Sequence, residues 1–397
     1  MDGNNEVVIL SGARTPIGRF QGTLSGVPAP ELGAVAIRAA LERAGVDPGA
    51  VDEVLMGNVV QAGVGQAPAR QAGVKAGIPP SIGATTVNKV CGSGLKTVML
   101  ASQAIKAGDG RLFVAGGMEN MNMAPYLLPG ARFGYRLNDQ RVVDAMVHDG
   151  LWCPFEDQHM GNSAEWIARR YEVSREEQDR FALESHRKAV AAQEAGRFQE
   201  EIAPVEVQSR KGTILFQADE APRPDTSLEK LARLKPVFDP QGTVTAGNAS
   251  PISDGAAALV VSSRSFAQAH GLKPLARITG YAQAGVEPIA IFSAPIYAVR
   301  KLLERMGVGL DHFDLIEINE AFASQTLADG WELGFDWSKV NVNGGAIALG
   351  HPIGASGARV LVTLIHALKQ RGLRTGLATL CLGGGEAVAL AVEMLDG

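Results

Sequence analysis

The chain repeats itself, and the repeat limits its fold more than any other feature. Ile37-Arg38-Ala39-Ala40-Leu41-Glu42-Arg43-Ala44-Gly45-Val46 matches Val299-Arg300-Lys301-Leu302-Leu303-Glu304-Arg305-Met306-Gly307-Val308. Val51-Asp52-Glu53-Val54 falls on Phe313-Asp314-Leu315-Ile316 at the same offset. Close to that offset, Ser93-Gly94-Leu95-Lys96-Thr97-Val98 falls on Ser356-Gly357-Ala358-Arg359-Val360-Leu361. Val114-Ala115-Gly116-Gly117 then resembles Leu380-Cys381-Leu382-Gly383-Gly384. Four segments in one order, about 260 positions apart, point to two copies of one αβ unit. Strand-like and helix-like patterns alternate within each copy. The expected class is α/β, with mostly parallel sheets and helices on their faces.

A chain of 397 residues exceeds what one core usually supports, in keeping with two packed halves. A block between them has no repeat partner. The expected division is residues 1–121 plus 252–273 for the N-terminal half, 122–251 for an inserted loop domain, and 274–397 for the C-terminal half. The insert carries a helical pattern near Arg175 to Ala195 and the polar run Ala221-Pro222-Arg223-Pro224-Asp225-Thr226. Insertions of this length usually bind something.

The net charge of −5 excludes a basic nucleic-acid or membrane surface. No apolar run approaches the roughly 20 residues of a membrane span. Met1 to Glu6 has neither a basic nor an apolar region, so no targeting segment is expected. Three cysteines without a CxxC pair point to a reducing cytoplasm, and the seven histidines show no metal-ligand spacing.

The 47 glycines gather around reactive residues. Asn341 to Arg359 holds His351 among Gly344, Gly345, Gly350, Gly354 and Gly357, more glycine than a turn needs. Such backbone admits close approach by another chain or a ligand. A helical pattern follows, with Val360, Leu361, Leu364, Ile365 and Leu368 on one face and Gly372 as a stop.

Thr85 to Val90 reads as a strand, Cys91-Gly92-Ser93-Gly94 as a turn, and Leu95 to Ala107 as a helix ended by Gly108. Cys91 therefore sits at a helix N-terminus, where a lowered pKa and thiolate character are expected. A buried structural role is the commoner fate of a cysteine, but the Gly-Ser-Gly setting favours a nucleophile. Cys381 ends the strand Thr375 to Leu380 and opens Leu382-Gly383-Gly384-Gly385-Glu386. Alone it reads equally as core or function. Together, Cys91, Cys381 and His351 would converge where the copies meet. A thiol with a histidine base is a covalent-catalysis pair, and a second thiol with a pKa near about 8.5 suits proton transfer. Asn319, in Ile318-Asn319-Glu320-Ala321-Phe322-Ala323, offers an amide for a water or an oxyanion, or is a turn asparagine. Cys153 reads as structural. Gly354 falls near the position of Cys91 in the repeat, so the two copies would hold nucleophile and base respectively.

Over nearly its whole length the sequence resembles the thiolase family. The resemblance rests on Asn88-Lys89-Val90-Cys91-Gly92-Ser93-Gly94, Asn319-Glu320-Ala321-Phe322, Gly350-His351-Pro352 and Cys381-Leu382-Gly383-Gly384-Gly385. It implies a duplicated five-layered αβαβα core with a loop domain over it. It also implies that Cys91 attacks an acyl-CoA thioester while His351 takes its proton. Cys381 then deprotonates a second acetyl-CoA, whose carbanion attacks the acyl group. One oxyanion site would be His351 plus a water held by Asn319, the other the backbone N–H groups of Cys91 and Gly383. His159 and Met160 resemble a pantetheine-contacting pair. Leu151, Phe238, Ala246, Gly247, Ser250 and Phe322 match tunnel positions, and Arg223 matches one near adenine and phosphates. No metal or cofactor is implied; coenzyme A thioesters are substrates, and the partner is a second copy, as homodimer or homotetramer. Two residues depart from the family pattern. Lys230 stands where short-chain members often have serine, and Glu386 where members often have Met or Gln. The expected activity is acetyl-CoA C-acetyltransferase. Alternatives are a longer-chain 3-ketoacyl-CoA thiolase and a non-catalytic acyl-CoA-binding protein. A dinucleotide-dependent oxidoreductase would need a GxGxxG opening a helix, with an acid about 20 residues on, and neither is present.

Overall fold

The structure is a computed structural model that describes residues 6–209 and 212–395. The reading made on Met1 to Asn5 lies outside the described residues. The first half contains β1 (Val7–Arg14), α1 (Ala29–Ala44), β2 (Glu53–Gly57), α2 (Pro68–Lys75), β3 (Gly83–Val87), α3 (Ser93–Ala107) and β4 (Leu112–Asn120). Helices α4 (Met160–Arg170) and α5 (Arg175–Glu194) follow, then β5 (Ser253–Ser263). The second half contains β6 (Ala276–Gly285), α6 (Ala294–Met306), β7 (Leu315–Ile318), α7 (Ala323–Leu333), α8 (Ala346–Leu349), α9 (Ile353–Arg371), β8 (Thr375–Leu382) and β9 (Glu386–Met394).

The repeat shows first in the helix stops. α1 and α6 end on left-handed Gly45 and Gly307, with φ of 65° and 67°. α3 and α9 end on Gly108 and Gly372, with φ of 87° and 63°. Only glycine takes this conformation at no steric cost, which is why each pattern halts there.

It shows again in strand order. The main sheet runs β7-β8-β9-β6-β1-β5-β4-β2-β3. Outward from the centre, the N-terminal half reads β1-β5-β4-β2-β3 and the C-terminal half β6-β9-β8-β7. The counterpart of β3 is reduced to a single parallel bridge between Ile316 and Val340. The halves meet through a short antiparallel contact, Val8 with Arg277 and Ile9 with Ala276.

The expectation of mostly parallel sheets is corrected. Only β2 with β3, β2 with β4, and β7 with β8 are parallel; the other neighbours along this sheet are antiparallel. Parallel pairing needs a crossover helix. β8 and β9 are joined instead by the tight turn at Gly383–Gly385, which forces an antiparallel pair. β5 returns from the insert against β4, running the opposite way.

α3 and α9 form the central layer. They pack on each other and against strands of both halves, while α1 and α2 cover one outer face and α6 the other. A Cβ on Gly94 would lie 2.6 Å from the Ala358 nitrogen, so the two helices meet at backbone contact. Ile353 to Leu368 are buried all round, and not only on the expected face. A helix apolar on every side belongs between layers.

The residues between β4 and β5 lie over one edge of this core. α5 starts from Ser174 with a capping box to Glu177 and packs on α7 and α8. The buried Arg14 guanidinium ties this segment to β1. Its Nη1 and Nη2 donate to Asp219 at 2.7 and 2.8 Å, and its Nε donates to Glu201 at 2.6 Å. Among the described residues no helix is long and apolar enough to cross a membrane.

Candidate active site

A cavity of about 490 Å³ opens where the two halves and the insert meet. Cys91, His351, Cys381 and Gly383 line it together with Leu151, His159, Met160, Arg223, Phe238, Ala246, Ser250 and Phe322. Asn319 is fully buried, with its Nδ2 3.5 Å from both ring nitrogens of His351. Gly247 faces an adjoining, more polar cleft that shares Arg223, Ala246, Ala249 and Pro251 with the first. Lys230 lines that second cleft, with its ammonium 2.6 Å from Asp225. Cys153 is buried within the short pairing of Trp152–Cys153 with Gln158–His159, away from the cavity lining.

β3 ends at Val87, earlier than the pattern suggests, and Asn88 to Gly92 form the turn that presents Cys91. Val90 has φ 45°, a strained conformation for a β-branched residue. Neighbouring groups hold it. The Ser93 hydroxyl donates to the Val90 carbonyl at 2.6 Å and accepts from the Lys89 N–H at 2.8 Å. The Val90 N–H donates to Asn88 Oδ1 at 3.1 Å.

The expected lowering of the Cys91 pKa is corrected. Burial pushes the thiol up to about 12, more than the backbone N–H groups of Gly383 and of Cys91 itself pull it down. A helix N-terminus gives partial charges only, which do not offset lost hydration in an apolar cavity. Cys381 lies within β8, and burial with Cys91 beside it raises its pKa well above the ordinary thiol value. Burial lowers His351 to about 3, helped by the Arg359 charge. The resting site therefore holds two thiols and a neutral imidazole.

The hydrogen bonds also fix the tautomer of that imidazole. The Ser356 hydroxyl donates to the Pro352 carbonyl at 2.9 Å and lies 2.6 Å from His351 Nδ1. With its one hydrogen committed to Pro352, the hydroxyl accepts from Nδ1–H. The lone pair is then on Nε2. Asn319 Oδ1 is buried without a protein partner among the described residues, which leaves its amide able to hold a further polar group.

His159 caps α4. Its Nδ1 accepts from the Gly161 N–H at 3.0 Å, so Nε2 carries the proton. Its ring stacks on Phe238 with centroids 4.6 Å apart. Phe322 packs edge-on to Phe238 at 6.4 Å, building one wall of aromatic rings.

Sequence reasoning missed Glu119 and assigned no role to Glu320. Glu119 ends β4 and accepts four N–H groups: Gly354 N at 2.9 Å, Val59 N at 3.0 Å, Val60 N at 3.1 Å and Asn58 Nδ2 at 2.7 Å. It pins the start of α9 to the loop after β2, and burial raises its pKa to about 7. A carboxylate closing an otherwise apolar strand was the available signal. Glu320 accepts from Ser185 Oγ at 2.6 Å, Asn341 Nδ2 at 2.8 Å and Ile347 N at 3.1 Å, joining α5 and α8 beside Asn319.

Known proteins match this chain from end to end. The model described as thiolase, N-terminal domain, covers residues 7–265, and that described as thiolase, C-terminal domain, covers residues 272–394. An acetyl-CoA acetyltransferase of Escherichia coli is 57% identical over 390 residues, 98% of this chain and 99% of the relative. One from Pseudomonas aeruginosa is 56% identical over 388 residues, with the same shares of each chain. The crystal structure of the Bacillus anthracis acetyl-CoA acetyltransferase is similar with a TM-score of 0.97 and 45% identity, covering 98% of this chain and 99% of that one. From these full-length matches, and from the duplicated fold around Cys91, His351 and Cys381, the chain belongs to the thiolase family.

Proposed function

We propose that this protein is an acetyl-CoA acetyltransferase, joining two acetyl-CoA into acetoacetyl-CoA and CoA and running in reverse by thiolysis. The observation that carries this is the meeting of two cysteines, a neutral histidine and paired backbone N–H groups in one apolar cavity. The activity for which the relatives are named agrees with it.

Cys91 begins as a thiol, because burial holds its pKa near 12. Its proton moves to His351 Nε2 only as sulfur bonds to the acyl carbon, so a buried ion pair never stands alone. The imidazolium so formed is disfavoured by burial and gives its proton to the departing CoA sulfur. Meanwhile the N–H groups of Cys91 and Gly383, which point at the sulfur in the resting site, hold the thioester oxygen as it gains charge. Acylated Cys91 cannot ionise, so no like charge forms beside Cys381 while it acts. In condensation the Cys381 thiol first gives up its proton to solution and, as thiolate, takes one from the methyl of the second acetyl-CoA; in thiolysis the thiol returns its proton to the enolate. A water on the free Asn319 Oδ1 donates its other hydrogen to that second carbonyl oxygen, since His351 Nε2 has by then given up its proton.

His159, Met160, Phe238 and Phe322 take the pantetheine arm, and Arg223 with the polar cleft takes the nucleotide end. Thioester exchange and the condensation involve no net oxidation or reduction, so no redox cofactor enters the scheme. Both cysteines act only when reduced, which supports a cytoplasmic setting. Apolar side chains exposed between β4 and α4 include Phe133 at 87% and Leu137 at 80%, which supports assembly into a homodimer or homotetramer.

Thiolysis rates across 3-ketoacyl-CoA lengths test the reading. Acetoacetyl-CoA should be the best substrate. Much faster turnover of longer chains would assign the protein to longer-chain thiolysis instead.

A further inference from the structure

An ion pair ties the two turns that carry the site's backbone donors. Lys89 Nζ lies 2.6 Å from Glu386 Oε2. Lys89 immediately precedes the strained Val90 and Cys91, and Glu386 opens β9 three residues after Gly383. The turns touch, since a Cβ on Gly383 would lie 3.0 Å from Val90 Cγ1. The Gly383 N–H also reaches across to the Cys91 sulfur. Among the described residues the turns' remaining hydrogen bonds stay within their own halves. The Gly92 and Ser93 N–H groups donate to the Lys89 and Val90 carbonyls, and the Gly385 carbonyl accepts from Val286 N–H.

We propose that Lys89 and Glu386 are positioning residues whose ion pair sets the spacing between the Cys91 and Gly383 N–H groups. This rests on the reading that those two groups hold the thioester oxygen. Such donors act only when both lie about 2.7–3.1 Å from the developing oxyanion, so a small slip of one turn is costly to rate. The pair is half exposed, with side-chain accessibilities of 19% for Lys89 and 43% for Glu386. A contact of that kind adds little to global stability. Its loss should therefore appear in kcat and leave melting unchanged. Lys96 on α3 is near enough to feel both charges. With Lys89 gone, Lys96 still stands within reach of Glu386. The Glu386 variant should consequently lose more than the Lys89 variant.

The test measures kcat, KM and Tm for acetoacetyl-CoA thiolysis in Lys89→Met, Glu386→Met and the swapped pair K89E/E386K. Acetylation of Cys91 by acetyl-CoA is followed alongside in the unaltered protein. The single variants should lose roughly three- to fivefold in kcat with KM and Tm unchanged, and the swapped pair should recover most of it. Single variants with unaltered kcat would overturn the proposal, as would a swapped pair no faster than the singles. Failure of the unaltered protein to acetylate Cys91 would instead overturn the reading of the site, and this proposal with it.

Discussion

The turn at Cys91 and the turn at His351 are two copies of one device used for opposite chemistry. The repeat in the sequence sets Gly354 against Cys91, but the structure pairs them differently. Cys91 lies two residues before the start of α3 at Ser93, and His351 two residues before the start of α9 at Ile353. α9 has gained a turn at its N-terminus relative to α3, which carries its reactive residue outward. In each copy the preceding residue has positive φ: Val90 at 45° and Gly350 at 112°. The N-terminal copy bears this as strain, while the C-terminal copy assigns it to glycine. The partners then separate the roles. Backbone N–H groups point at the Cys91 sulfur and favour negative charge there. Burial and the nearby Arg359 charge keep His351 neutral, while the Ser356 hydroxyl faces its Nδ1.

Exchanging the reactive groups should break the comparison most severely. Cys91→Ala should lower both condensation and thiolysis by at least about four orders of magnitude in a steady-state assay, since no other group in the cavity forms the acyl bond. Cys381→Ala should be as damaging to condensation yet leave transfer of acetyl to Cys91 measurable. Next comes Asn319→Ala, expected to cost about 10²- to 10³-fold in kcat with a small change in KM, the usual loss for one oxyanion donor.

The two turns should also differ in tolerance. A Cβ at Gly350 would lie 2.7 Å from Ile17 Cγ2, at a φ that L-residues rarely adopt. Gly350→Ala should therefore cost about 2 kcal/mol or more in denaturant unfolding, although Val90 is endured at the matching site. A cost below about 0.5 kcal/mol would show that the turns are not equivalent.

The smallest expected effect is an absence. With its folded pKa near 3, His351 stays neutral as pH falls through the ordinary histidine range. The acylation step should show no acid limb near pH 6.5, read by pre-steady-state release of CoA. Stability behaves otherwise. Between about pH 3 and 6.5 the unfolded chain binds this proton and the folded one does not, so His351 contributes stability that rises with pH across that window and is lost on acidification.

Much of this was legible before any coordinates. The glycine stops, the paired segments and the motif around each reactive residue are local patterns with local causes, and the duplicated α/β fold follows from them. Three things were not. The sense of the sheets depends on how β5 returns from the insert and on one tight turn, neither of which periodicity records. The thiol pKa depends on how dry the cavity is, and a helix start seen in sequence says nothing of the walls around it. Glu119 acts across the fold, gathering N–H groups from the loop after β2 and from the start of α9. Its chemistry became visible only once α9 lay against β4.

The central claim is that two thiols in one cavity have different tasks, one bonding to the acyl group and the other moving a proton. Incubating the Cys381→Ala protein with acetyl-CoA alone and mapping the adduct by peptide mass spectrometry tests it most directly. The account predicts one acetyl group, on the peptide containing Cys91, with a stoichiometric release of CoA. An unlabelled Cys91, or acetyl found on Cys381 in the unaltered protein, would contradict it.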